Sequence, residues 1–253
     1  MRVKDNIPYF KERSFERIQE ILDSTETFEE VEKIPNSDKL TYNNGYYISC
    51  YSIFIDIRNS STLPTKYKKT TLAKIYRAYI SEVVALFQSS SKCKEINIVG
   101  DSVWAIYEYT VKTDINEVFH GAYAANSIIA TLNYKLCHKG IEPIRVGIGI
   151  DKGQALMIQA GFKGSGISDI IYMGGVVNSA SKLCSKGGKN GISEIVVSSG
   201  VYDDFNGFTG VNNKLYQEMF TKNSLEDFYH GSIIRSDMND WLIEQQKSKP
   251  CNR

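Results

Sequence analysis

The run YYISCYSIFIDI, Tyr46 to Ile57, is rich in aromatic and β-branched residues and carries no charge before Asp56. Such a run reads as a central strand that ends on a carboxylate, and a strand this apolar needs covered faces and paired edges. The downstream sequence supplies both. From Thr65 to Gln88, Leu72, Ile75, Tyr76, Tyr79, Ile80, Val83, Val84 and Phe87 recur at spacings of three and four, which predicts an amphipathic helix. EINIV and SVWAIYEY flank the dipeptide Gly100-Asp101 and read as two strands joined by a two-residue hairpin turn. Asp114-Ile115-Asn116-Glu117 has capping-box spacing and opens a second helix that Gly140 closes. After Pro143, IRVGIGI predicts another strand, and Asp151-Lys152-Gly153 predicts a turn into a further hairpin strand, QALMIQ. A helix near Asn178 to Ser185 and the strand EIVVSS complete the pattern. Strand, helix, strand-hairpin-strand, helix, strand is the βαββαβ order of a ferredoxin-like α+β domain, here with extra strands.

Ahead of this unit, Phe15, Ile18, Ile21, Leu22, Phe28, Val31 and Ile34 suggest an N-terminal helical leader over residues 1–40, ended by Pro35-Asn36-Ser37-Asp38. The leader is expected to pack on the core or on a second copy of the chain. The domain itself is expected over 45–245, with a disordered tail over 246–253. Thirty basic and twenty-nine acidic residues give a formal charge of +1, not the footprint of a nucleic-acid binder. The charge-free apolar run Tyr46 to Ile55 is far short of the roughly 20 residues a membrane helix needs. The charged N-terminus lacks the apolar block of a secretory signal. Cys50, Cys93, Cys137, Cys184 and Cys251 are scattered without a C-x-x-C pair, so free thiols in a reducing cytoplasm are expected rather than a disulfide framework or a zinc site.

Three segments carry candidate chemistry. Asp56 ends the central strand and Asp101 sits in the next hairpin turn, so their carboxylates are expected to converge. Such a pair is costly unless it is protonated or bridged by cations, and two Mg²⁺ or Mn²⁺ ions beside a phosphoryl group would resolve it. Between strand and helix lies the small polar segment Arg58-Asn59-Ser60-Ser61, whose backbone N–H groups are suited to phosphates. Asn178 and Lys182 are four residues apart, so on a helix they share a face and offer an amide and a cation to one ligand.

Read together, FIDIRNSS, INIVGD, IRVGIGIDKG and GGVVNSASKL resemble, in order and spacing, the class III nucleotidyl cyclase catalytic domain, over about Tyr47 to Ser199. The resemblance implies a homodimer with active sites at the interface. It implies that Asp56, Asp101 and the Ile57 carbonyl hold the metal ions, and that Asn59, Ser60 and Ser61 wrap the triphosphate. Asn178, from the partner subunit, would orient the ribose, and Lys182 would stand where the family has an arginine that stabilises the pentavalent α-phosphate. A phosphate-binding arginine corresponds to Arg145 with a shift of two residues. The implied reaction is in-line attack of the ribose 3′-oxygen on the α-phosphorus.

The base-reading positions of that family fall here on Asn97 and Ile171, which reproduce neither the adenine nor the guanine pattern. Tyr172 lies beside the second of these and is a candidate lining of the base pocket. The altered pocket, the sequence Asp56-Ile57-Arg58 before small polar residues, and the late segments Tyr229-His230-Gly231 and Met238-Asn239-Asp240-Trp241 resemble the pyrimidine cyclases of the Pycsar antiphage system. This implies a substrate of CTP or UTP, with CTP favoured. The cyclic product would be a second messenger read by a separately encoded effector, with no nucleic-acid or membrane partner. The alternatives are a catalytically silent nucleotide-binding signalling domain, an ATP cyclase, and a diguanylate-cyclase-like or polymerase-palm site. The last lacks its paired acidic hairpin here.

Overall fold

The computed structural model describes residues 6–208 and 215–251. Its centre is β2 (Asn44–Ile57), flanked by antiparallel β4 (Ser102–Glu108) and β5 (Val146–Phe162). With β3 (Cys93–Val99) on the outer edge of β4, the four strands run β3-β4-β2-β5, the strand order of the ferredoxin-like unit. The sheet continues from β5 through β7 (Ile195–Ser198), β9 (Phe228–Gly231) and β8 (Thr221–Lys222).

Period-two alternation sorts the strands onto two faces. Tyr51, Ile53, Ile55 and Ile57 of β2, with Val103, Ala105 and Tyr107 of β4, bury against α3 (Lys69–Gln88) and α4 (Ile115–Cys137), using Ile75, Tyr79, Val83, Phe87, Val118 and Phe119. The opposite face carries Ile48, Cys50, Phe54 and Asp56 of β2 and Trp104 of β4. It is covered in part by α5 (Gly175–Lys186), by β6 (Ile167–Met173) and by the buried Ile34 and Leu40. Gly147 and Gly149 let α5 lie directly on β5, since a Cβ on Gly149 would collide with the Ala180 carbonyl and the Cys184 backbone.

Several expectations change. The leader is not one helix: α1 (Lys11–Asp23) buries none of its residues, and Thr27–Val31 forms β1, paired parallel with Asn44 to Ile48 of β2. Arg17 over the Phe162 ring, at 4.6 Å, is one contact of α1 with the sheet. The spacing of Phe28, Val31 and Ile34 fits a helix, yet the free edge of β2 offers that segment a complete ladder of hydrogen bonds, and pairing wins. The first five residues of the expected leader lie outside the described residues. Asp151-Lys152-Gly153 is no turn. β5 runs straight through it because the long β2 continues to pair, Ser52 with Asp151, Tyr51 with Lys152 and Cys50 with Gly153. The expected helix after Thr65 is interrupted: α2 (Leu63–Lys66) stops at the extended Tyr67 before α3 begins.

Asp114 does not close a capping box with Glu117. Its Oδ2 accepts from the Thr110 and Val111 backbone N–H groups at 2.8 and 3.0 Å, while Glu117 accepts from Ser90. The start of the tail expected to be disordered is helical: α7 spans Ser236–Ser248, and the Lys249 N–H still donates to the Gln245 carbonyl at 2.8 Å. Residues 252 and 253 of that tail lie outside the described residues. Cys137 at the end of α4 forms a disulfide with Cys251, so the expectation of five free thiols does not hold; Cys50, Cys93 and Cys184 are free. Scattered spacing has no means of showing that α7 returns along α4 and brings the two cysteines together. No helix among the described residues is long and apolar enough to cross a membrane.

Candidate active site

Asp56 sits on the thinly covered face at the end of β2, opposite Gly147 of β5. The register Ile55 to Val103, with Gly100 in a left-handed conformation (φ +63°), swings the β3–β4 turn alongside it. Asp101 and Asp56 therefore meet. Burial, and then the Asp101 charge, push the Asp56 carboxyl above the usual aspartate range; Arg58 and Lys189 oppose this. Asp101 Oδ2 is buried and, among the described residues, accepts from no hydrogen-bond donor. Two acidic groups sharing a site, one with an orphaned buried oxygen, fit a divalent cation. The Ile57 side chain is buried in the helix-side core, which leaves its carbonyl as the group able to join them.

Arg58 comes immediately afterwards. Its side chain is 3% exposed, and Nη2 reaches Asp56 Oδ2 at 3.2 Å and the Asp56 carbonyl at 3.0 Å. Nη1 donates to the Ser185 carbonyl at 3.3 Å, at the end of α5. The backbone then turns through Asn59 in the left-handed region (φ 56°) into a single 3₁₀ turn, Ser60–Thr62, closed by Thr62 N–H to the Asn59 carbonyl at 3.0 Å. Asn59 and Ser61 are exposed and Ser60 is half-buried, and the first N–H groups of such a turn have no partner within it. Arg145 is exposed, and its carbonyl accepts from the Arg58 N–H at 2.7 Å, which anchors the loop to the start of β5.

On the same sheet face as Asp56, Asn97 of β3 sits opposite Trp104, whose ring stacks on Phe54 at 5.2 Å with 5° between planes. Asn97 Nδ2 is buried and has no hydrogen-bond partner among the described residues. Tyr172 is 6% exposed and packs edge-on against Trp104 at 6.5 Å, while Ile171 is 41% exposed. Tyr172 also borders a cavity of about 210 Å³ together with Ile34, Lys94 and Glu95. It thus belongs to the wall behind Trp104.

Val176, Ala180, Leu183 and Cys184 bury the inner face of α5, which leaves Asn178 and Lys182 together on its exposed face. Neither contacts Asp56 or Asp101 among the described residues. One chain therefore brings together the carboxylates, the Asn59–Ser61 turn and Arg58, and points Asn178 and Lys182 outward.

Three groups at the site escape sequence reasoning. Arg58 reads there only as part of a polar loop. Lys189, in a Gly-rich stretch, lies close enough to lower the Asp56 pKa. Tyr76 of α3, whose hydroxyl pKa is raised first by its burial and then by Asp101 and Asp56, lies beside Ser60. Its helical periodicity disguises it as core; a polar-tipped residue one turn before Tyr79 is the available signal.

The adenylate and guanylate cyclase catalytic domain family matches residues 46–230. The chain belongs to the class III nucleotidyl cyclases. Among curated relatives of this cyclase, a uridylate cyclase of Gulbenkiania mobilis is 40% identical over 248 residues, covering 93% of this chain and 96% of the relative. A uridylate cyclase of Treponema porcinum is 34% identical over 226 residues, covering 89% of this chain and 78% of the relative. The adenylyl cyclase CyaB of P. aeruginosa shares the fold with a TM-score of 0.63 at 18% identity, over 76% of this cyclase and 98% of that chain.

Proposed function

We propose that this cyclase converts UTP to 3′,5′-cyclic UMP and pyrophosphate, as a homodimer with active sites shared between subunits. The observation that carries the cyclase chemistry is the buried, unpartnered Asp101 oxygen beside Asp56. A silent nucleotide-binding module has no use for a like-charge pair that costs it stability. The choice of a pyrimidine, and of UTP where the residues alone favoured CTP, is supported by the two uridylate cyclases to which the chain is similar over most of its length.

Asn97 is compatible with that base. Its unpartnered Nδ2 would donate to the uracil O4, while its carbonyl oxygen accepts the N3–H. With cytosine the amide would have to turn over. Ile171, aliphatic and half-exposed, offers no partner to a purine edge.

Asp56, Asp101 and the Ile57 carbonyl would hold the divalent cations, Mn²⁺ or Mg²⁺, which supply Lewis-acid charge to lower the 3′-hydroxyl pKa and neutralise the triphosphate. The N–H groups of Asn59, Ser60 and Ser61 cradle the phosphates, with the exposed cations of Arg145 and Lys189 at the rim. Asn178 from the partner subunit fixes the ribose so that its 3′-oxygen lies in line with the α-phosphorus. As the new O–P bond forms and the bond to pyrophosphate breaks, Lys182 from the same helix faces the oxygens on which charge accumulates. A lysine supplies the charge without the bidentate fork of an arginine. In an antiphage setting the product would act as a second messenger for a separately encoded effector.

The test is purified protein with Mn²⁺ and ATP, GTP, CTP or UTP in separate reactions, with products resolved by chromatography and mass. Cyclic UMP from UTP, absent in Asp56→Ala, is expected. Cyclic CMP would correct the base alone; cyclic AMP or GMP would refute the pyrimidine reading. No product in any reaction would return the protein to the nucleotide-binding alternative.

A further inference from the structure

Arg58 occupies an unusual place. Its guanidinium is buried in a slot between β2, β5 and the C-terminal end of α5, and the slot is shaped for it: a Cβ on Gly147 would come within 2.8 Å of Nη2. One side of the fork holds Asp56, with Nη2 on the carboxylate at 3.2 Å and Nε and Nη2 on the carbonyl at 3.3 and 3.0 Å. The other side holds α5, with Nη1 on the Ser185 carbonyl at 3.3 Å and Nη2 at 3.6 Å from Cys184 Sγ. Cys184 Sγ in turn donates to the Gly147 carbonyl at 3.1 Å. The Ser185 hydroxyl donates to the Lys182 carbonyl at 2.6 Å, one turn back along the helix. A continuous polar chain thus leads from Asp56 to the helix that carries Asn178 and Lys182.

We propose that Arg58 is a positioning residue that couples the two active sites of the dimer: it ties the carboxylate site of its own subunit to the helix that this subunit presents to the other site. The inference rests on the shared-site reading above. Asp56 Oδ2, which would help hold the cation, is the oxygen that Arg58 Nη2 reaches, whereas Nη1 is committed to the Ser185 carbonyl. The position of the fork, and of the α5 end it holds, thereby follows the occupancy of the adjacent site. The coupling needs both arms of the fork, so an arginine fits the slot where a lysine with its single head does not.

Mixed dimers separate this from a local effect. A dimer of one Asn178→Ala chain and one Asp101→Asn chain retains one working site, built from the carboxylates of the first chain and α5 of the second. Arg58→Gln is then placed only in the second chain, whose own carboxylate site is already disabled. The expected result is a fall in kcat of about fivefold or more, with unchanged KM for UTP, unchanged Mn²⁺ dependence and an unchanged dimer fraction, read well below the melting transition that loss of the buried guanidinium lowers. The phosphate turn and carboxylates of the working site belong to the other chain, which keeps its Arg58.

An unchanged kcat would overturn the proposal, as would a loss explained by a lowered dimer fraction. If the glutamine variant does not fold, Arg58→Lys keeps the charge, removes the fork, and carries the same expectation. An inactive mixed dimer before Arg58 is touched would instead refute the shared site, and the coupling with it.

Discussion

Two acidic regions against this sheet are built in opposite ways. Asp204, 1% exposed on α6 (Ser199–Asp204), receives Lys152 Nζ at 2.6 Å on one oxygen and the Tyr51 hydroxyl at 2.8 Å on the other. Lys152 also lies 5.5 Å from the Tyr109 ring. Both carboxylate oxygens there have a donor, which is how a charge is kept inside a protein for structure. At the end of β2, Asp56 faces Asp101, one oxygen of Asp101 has no donor among the described residues, and of the two acids Arg58 pairs with Asp56. The contrast supports the proposal that the second region is completed by a cation from outside the chain. Nothing in the fold gains from two carboxylates held against each other.

Removing an acid from each region puts this contrast at most risk. Asp56→Ala or Asp101→Ala is expected to lower cyclase turnover by at least about 10³-fold, with circular dichroism and dimer size unchanged; retention of activity would show that the pair is not the metal site. Asp204→Ala is expected to act on the fold, costing about 3 kcal/mol in chemical denaturation because the buried Tyr51 hydroxyl and the half-buried Lys152 both lose their partner. In the molecules that remain folded, kcat should be preserved. A variant at Asp204 that lost activity without losing stability would contradict the division.

Asn97 belongs with the unsatisfied region. Asn97→Ala is expected to raise KM for the nucleotide about 10- to 100-fold, equivalent to about 1–3 kcal/mol for a lost base-edge pairing, and to leave the melting temperature alone. Steady-state kinetics with UTP and CTP would read this, and a change of preference between the two would define the role of the amide.

The smallest effect concerns pH. Asp56 binds its proton more tightly in the folded chain than in the unfolded one. Its contribution to stability is thus present in acid and is lost as pH rises through the elevated folded value. Asp101→Asn relieves that repulsion. In EDTA the variant should melt a few degrees above the parent at neutral pH, and the gain should vanish below the ordinary aspartate range. A variant that melts lower at neutral pH would mean that Asp101 is structurally paired after all.

Much of this molecule is legible in the chain. Tyr46 to Ile57 alternates onto two faces and ends at Asp56, Gly100-Asp101 makes its turn, and Asn178 and Lys182 share a helix face; all of these are consequences of local periods of two and 3.6 residues. Those same periods misread Asp151-Lys152-Gly153 and residues 27–31, where an already formed β2 decides the conformation of segments far away in sequence.

The βαββαβ order and the positions of the carboxylates therefore come from the chain alone, because both depend on neighbours a few residues apart. Folding in three dimensions was needed to establish that Arg58 spans Asp56 and α5, that Lys189 and Tyr76 approach the same acids, that Lys152 pairs with Asp204, and that Cys137 meets Cys251 across 114 residues. Each joins side chains from distant segments whose proximity depends on how the sheet and helices stack, and no spacing rule within one segment encodes that.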